Sequence, residues 1–323
     1  MNRVPATLQL SLALSVALLA HGCCWKPVAK ASGEVAPPVV VEAPVWPAQP
    51  VPGPPPAFTA PSPTRFVLAN GIPVTLVQTG AVPLIQLQLN VYTGSSADPK
   101  GKEGLASVTA DLLNEGTKAR DALQLEHALQ MIASDVSFGA DLDASSVRVE
   151  ALEDKLAETL AIVNEMLTTP TFPEKDLARV IEDRKRALLA AKDELPSVGT
   201  KVFRKLLWGD SYFGRPGGGT EASLAAIQRK DVVGFHGANW GPSNAGLIVV
   251  TRLSQEQIQP ILESTLGTWK AKTKVAPVAV TVPARRAGVS VVWVDRPGAT
   301  QSYVVIGNVG PAFDPVKSDQ LRL

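Results

Sequence analysis

Residues 27–63 hold 12 prolines in 37 positions, and that run decides where this chain can fold. Proline removes a backbone donor and fixes φ, so a stretch this dense neither builds a helix nor pairs as an interior strand. It favours extended polyproline II, which at about 3.1 Å per residue reaches on the order of 100 Å. A hydrophobic core must therefore lie wholly to one side of it. The N-terminal side offers only residues 8–20 (LQLSLALSVALLA), an apolar run of 13 residues behind Arg3. That is too short to span a bilayer and has the make-up of the apolar core of a secretory signal.

Cys23 follows Ala20-His21-Gly22. A small residue directly before Cys resembles a bacterial lipoprotein cleavage site, where Cys23 would be acylated and become the new N-terminus. Ala29-Lys30-Ala31 is an alternative, A-x-A cleavage site. Residues 1–23 are read as a signal peptide with lipidation at Cys23, and 24–63 as a disordered tether. The expectation is an exported bacterial protein, lipid-anchored to a membrane and facing the periplasm or cell surface.

Cys23 and Cys24 are the only cysteines, and adjacent residues cannot cross-link a fold. With no other Cys, and only His21, His127 and His236, a thiolate or multi-histidine metal site is nearly excluded by arithmetic. Beyond residue 64 the chain carries 28 basic and 28 acidic side chains. A neutral body has no electrostatic footprint for nucleic acid.

The body reads as α+β. Thr64–Ala69 and Pro73–Gln78 are short strands joined by Asn70-Gly71, a hairpin signal. Pro83–Thr93 alternates apolar and polar as a long strand should, and Val136–Asp141 with Ser145–Ala151 make a further antiparallel pair. Helices are expected over Gly104–Asn114, Asp121–Ser134, a run through Leu152, Leu156, Leu160, Val163 and Leu167 that stops before Pro170, Pro173–Glu194, a shorter one to Trp208, and Gln255–Trp269. Residues 244–251 read as a strand. Val289–Val294 and Ser302–Val309 repeat the two-strand opening of the body.

FVLANGIPVTLV (66–77), GSSADPKGKEGLA (94–106), LLNEGT (112–117), LLWGDSYFGRPGGGT (206–220), NWGPSNAGLIVV (239–250) and DRPGATQSYVVIG (295–307) together resemble the insulinase/pitrilysin family of zinc metallopeptidases. The likeness is to its short bacterial, mitochondrial-processing-peptidase-like branch. It implies a mixed, mostly antiparallel sheet packed with helices over residues 64–270, a linker at 271–283, and the truncated start of a second homologous domain at 284–323.

Family members carry H-x-x-E-H on the helix after Gly-Leu-Ala. Histidines at i and i+4 share a helix face and bind zinc, while the Glu is the base for the zinc-bound water. Set between Gly104-Leu105-Ala106 and Gly116-Thr117, those positions are Ser107, Ala110 and Asp111, and the third ligand falls near Leu188. Neither histidine is present, the base is a methyl group, and a lone Asp111 falls short of the three ligands zinc needs. No residue is therefore assigned as catalytic, metal-binding or cofactor-binding, and no cofactor is expected. Glu126-His127 mimics the end of the motif, but Leu123 stands where its first His should be. His236 is read as a helix-end residue near the final carbonyls. Gly217-Gly218-Gly219 lacks the Lys-Ser/Thr of a phosphate loop. Glu182-Asp183 and Asp193-Glu194 read as a solvated charged face beside Arg184, Lys185 and Lys192. The family's carbonyl-binding Arg and Tyr lie late in the second domain, and Arg296 and Tyr303 are not at those positions.

In the short branch a metal-free subunit completes the chamber of a zinc-bearing one. The resemblance implies that role here: no enzyme on its own, but a membrane-tethered, peptide-holding partner of a separate zinc peptidase subunit. The alternatives are a truncated relic with a scaffold role, or an active zinc endopeptidase with an unrecognised ligand set.

Overall fold

The computed structural model describes residues 49, 53, 59–271, 273, 275, 283 and 288–310. Cys23, the apolar leader and most of the tether lie outside the described residues, as does most of 271–287. The described fold belongs to the unit that begins at Phe58.

β1 (Thr64–Val67) and β2 (Pro73–Gln78) form the expected hairpin, with Gly71 supplying the positive φ of the turn. β3 (Leu84–Val91) follows, then α1 (Leu105–Leu112) and α2 (Ala122–Met131), the latter opened by a reciprocal Asp121–Gln124 cap. β4 (Asp135–Ala140) and β5 (Ser145–Leu152) lead into α3 (Leu156–Thr168), which stops before Pro170 because the residue preceding a proline is pushed out of helical geometry. α4 (Glu174–Ala190) tightens into a 3₁₀ turn at Ala191–Asp193, and α5 (Leu195–Trp208) starts afresh with Pro196 in its first turn. α6 (Glu221–Ala226), α7 (Arg229–Asn239), β6 (Ala245–Thr251) and α8 (Gln255–Ser264) complete the described elements.

The strands make one sheet in the order β1-β2-β6-β3-β5-β4. Only β2 and β6 run parallel, with Val74 opposite Leu247 and Gln78 opposite Thr251; the other pairs are antiparallel. The α+β reading and the mixed, mostly antiparallel sheet are borne out. β3 shows why its sequence alternates. Ile85, Leu87, Leu89 and Val91 enter the core with Leu105, Val108, Leu156 and Leu160, while Gln86 faces outward beside Glu150. Each such buried leucine contributes roughly 1.5–3 kcal/mol, and Leu89→Ala at the centre would cost about 2–5 kcal/mol. A smaller cluster of Leu125, Leu129, Ile162 and Met166 fastens α2 to α3.

Two expectations need correction. Val289–Val294 and Ser302–Val309 form no strand. Their apolar pattern suits a sheet, but a strand needs a neighbour for its backbone groups, and these segments pair with none among the described residues. They lie instead along α5. Arg296 donates to the Lys192 carbonyl at 2.6 Å and to Asp193 Oδ1 at 2.8 Å, and a Cβ on Gly199 would stand 2.6 Å from Tyr303 Cδ1. The other correction concerns Gln255–Trp269, where the helix ends at Ser264 and only a 3₁₀ turn at Leu266–Thr268 follows.

Candidate functional site

α1 starts from an acceptor well upstream. Asp98 is buried, and its carboxylate accepts from the backbone N–H of Gly104 at 2.7 Å and of Ala106 at 2.8 Å. This satisfies two of the donors that every helix leaves open at its N-terminus. Burial pushes the Asp98 carboxyl up to about 6, against the pull of those two donors and of Arg215. Gly104 takes φ +98°, and a Cβ there would lie 3.1 Å from the Gly218 carbonyl. Gly219 is tighter still, since a Cβ would meet the Glu103 carbonyl at 2.4 Å. The triple glycine is thus a close-packed turn against the start of α1. Asp98 had no role in the reading of the sequence; the signal was an Asp six residues before a glycine that opens a helix.

Every residue of α1 is buried except Asp111. Ser107 and Ala110 face the interior. Asp111 is met by Arg184 from α4: Nε donates to its Oδ2 at 2.8 Å and Nη2 lies 2.6 Å from the same oxygen. Leu188, one turn further along α4, is half-buried and packs against the core. A serine, a methyl group, a carboxylate already held by a guanidinium and an aliphatic side chain do not make a zinc donor set. The residues present do not fit the metal. Among the described residues, no three His, Cys, Asp or Glu side chains gather where they could hold a metal ion.

Other candidates disperse. His127 is exposed on α2, and neighbouring Glu126 accepts from Gln130 Nε2 at 2.6 Å. His236 lies in the last turn of α7, as read, but not as a cation. It packs edge-on to Phe172 at 5.3 Å and stacks on Trp240 at 5.9 Å, and burial pushes its imidazole down to about 4. Its Nε2 is shielded and has no partner among the described residues. On α4, Glu182 pairs with Lys185 and Asp183 with Arg179, as a solvated face should, but Arg184 leaves that face for Asp111. β4 is one edge of the sheet, and α1 packs closely against it, so a strand whose outer side is unpaired among the described residues lies next to this position.

The family models match in two consecutive pieces: insulinase (peptidase family M16) over residues 74–211, and the peptidase M16 inactive domain over residues 226–323. The chain belongs to the insulinase family, M16.

Its M16 relatives are distant. An uncharacterised zinc protease of Rickettsia bellii is 21% identical over 191 residues, covering 59% of this chain and 46% of that protein. A non-peptidase homolog, YmxG, of Helicobacter pylori is 24% identical over 161 residues, covering 50% and 37%. The chain thus spans less than half the length of these curated relatives. The crystal structure of a peptidase M16 inactive domain from Pseudomonas fluorescens superposes with a TM-score of 0.65 at 23% identity, over 69% of this chain and 54% of that one. The inactive-domain match begins at the end of α6, yet β6, which follows it, lies between β2 and β3. The M16 sheet here is therefore built from both matched segments.

Proposed function

We propose that this chain is a non-catalytic M16 protein that holds peptide for a separate zinc-bearing subunit of the same family, tethered to a membrane through acylated Cys23. The observation that carries the reading is the Asp111–Arg184 pair, with Ser107, Ala110 and Leu188 at the remaining zinc and base positions. No general base and no metal donor set is present there, so hydrolysis has no apparatus. The relative named as a non-peptidase homolog supports the same conclusion. Peptide holding is supported by the outer edge of β4, unpaired among the described residues, since an extended peptide can add to such a strand through backbone hydrogen bonds alone. A family partner is supported by the exposed apolar row Val289, Val291, Trp293, Val304 and Ile306, which a second subunit would cover. Export is supported by the apolar run at 8–20.

The test is elemental analysis of the full chain after equilibration with excess zinc and desalting. Fewer than about 0.1 zinc per chain is expected, and near-stoichiometric zinc would overturn the reading. Co-purification with a subunit carrying H-x-x-E-H separates the partner role from a scaffold relic. Loss of metabolic palmitate labelling in Cys23→Ala tests the tether.

A further inference from the structure

The run Arg184-Lys185-Arg186 divides its charges. Lys185 turns to Glu182 and Arg186 to Asp183, both on their own helix, while Arg184 alone reaches across to α1. We propose that Arg184 is an internal cation standing in the place of the metal, joining α1 to α4 through Asp111 and closing that position to a divalent ion even when ligands are restored. The inference rests on the register that makes Ser107, Asp111 and Leu188 the ligand positions, and not on peptide holding.

Four observations converge. Asp111 lies in the last turn of α1, where the helix dipole is negative and a carboxylate is disfavoured unless a cation answers it. Arg184 supplies that cation with two nitrogens on one oxygen, and a guanidinium stays charged at any working pH. Its side chain is 23% exposed against 37% for Asp111, so the positive group is the more enclosed of the two. Leu188 sits four residues beyond Arg184 on the same helix face, so a ligand placed there would stand beside a fixed positive charge. The position is already occupied by a monocation, and like charges at this separation repel.

Two experiments on the full chain test it. The first is a double-mutant cycle with Asp111→Asn and Arg184→Gln, followed by urea unfolding. Each single change is expected to raise the unfolding equilibrium constant by about threefold to tenfold, and the double change no more than either. Strict additivity would reduce the contact to an ornament of the surface and overturn the proposal.

The second restores the ligands with Ser107→His, Asp111→His and Leu188→Glu, with Arg184 kept or changed to Ala, and measures zinc retained after desalting. Near one zinc per chain is expected without Arg184, and at least tenfold less with it. Equal zinc in the two sets, or none in a folded Arg184→Ala set, would overturn the proposal. If the restored chains do not fold, the cycle decides alone. Absence of zinc from the unaltered chain would uphold the functional reading whatever the cycle shows, so the two can fail separately.

Discussion

The carboxylate of Asp98 accepts the backbone N–H of Ala106 at 2.8 Å, so a loop residue fixes the first turn of a helix that has not yet begun. Its carboxyl is raised from 3.8 to about 6 by burial. Folding therefore takes up a proton there across that interval. The stability it brings is complete below 3.8 and is lost as pH rises through about 6. Asp98→Asn keeps an acceptor oxygen but cannot ionise. The unfolding free energy of the native chain should fall relative to this variant by on the order of 3 kcal/mol from the acid to the neutral side of that window. A pH-independent gap between the two, read by denaturant titration, would refute this.

His236 works in the opposite sense. Burial lowers its imidazole from 6.5 to about 4, so the folded chain releases a proton that the unfolded chain keeps. Stability from this residue is complete above 6.5 and is lost as pH falls through about 4, on the order of 3 kcal/mol in all. His236→Phe fits the same aromatic contacts with Phe172 and Trp240 and has no proton to bind. Its thermal midpoint should hold on acidification where that of the native chain drops. Parallel acid limbs would count against the assignment.

Two glycines look alike in sequence and should behave very differently. A Cβ on Gly94 would meet the Asp141 carbonyl at 2.3 Å, the Leu142 carbonyl at 2.6 Å and the Ala144 nitrogen at 2.7 Å, all backbone. The nearest atoms to a Cβ on Gly246 all belong to the side chain of Tyr92, which is exposed. Gly94→Ala is expected to cost at least about 2–3 kcal/mol and Gly246→Ala less than about 1 kcal/mol. Chemical denaturation of the two variants side by side checks the order.

Glu165 holds a loop to α3 by accepting from both Thr117 Oγ1 and Arg120 Nη1. Glu165→Ala leaves both donors partly buried without that partner and should cost about 1–3 kcal/mol. A variant within 0.5 kcal/mol of the native chain, on the scale of an ordinary surface change, would contradict it.

Much of the fold was readable because local pattern and tertiary outcome agree. The alternation of Leu84–Val91, the Asn70-Gly71 turn and the stop before Pro170 each have a local physical cause. α7 was read only at its end, at His236, because Gly234 and Gly237 interrupt its periodicity, and α6, at six residues, is too short to show one. The caps were nevertheless present: Thr220 and Ser223 exchange hydrogen bonds, and Gln228 donates to Asp231 at 2.8 Å. At Val289–Val294 the pattern was read as a strand, and propensity without a pairing partner did not make one. The same limit applies at the candidate site. That Ser107 and Ala110 carry neither an imidazole nor a carboxylate is plain in one dimension. The pairing of Asp111 with Arg184 spans 73 residues, and nothing local distinguishes Arg184 from the solvated charges around it.

The parallel contact of β2 with β6 sets an order on assembly. Residues 74–78 must wait for residues 247–251, and until those arrive the two halves of the sheet, β1-β2 and β3-β5-β4, have no common edge. Closing a loop of that length comes late in folding and slows it. A chain emerging N-terminus first, from a ribosome or through a translocation pore, therefore carries an unfinished sheet until β6 is free. The middle of this sheet is the last of it to exist.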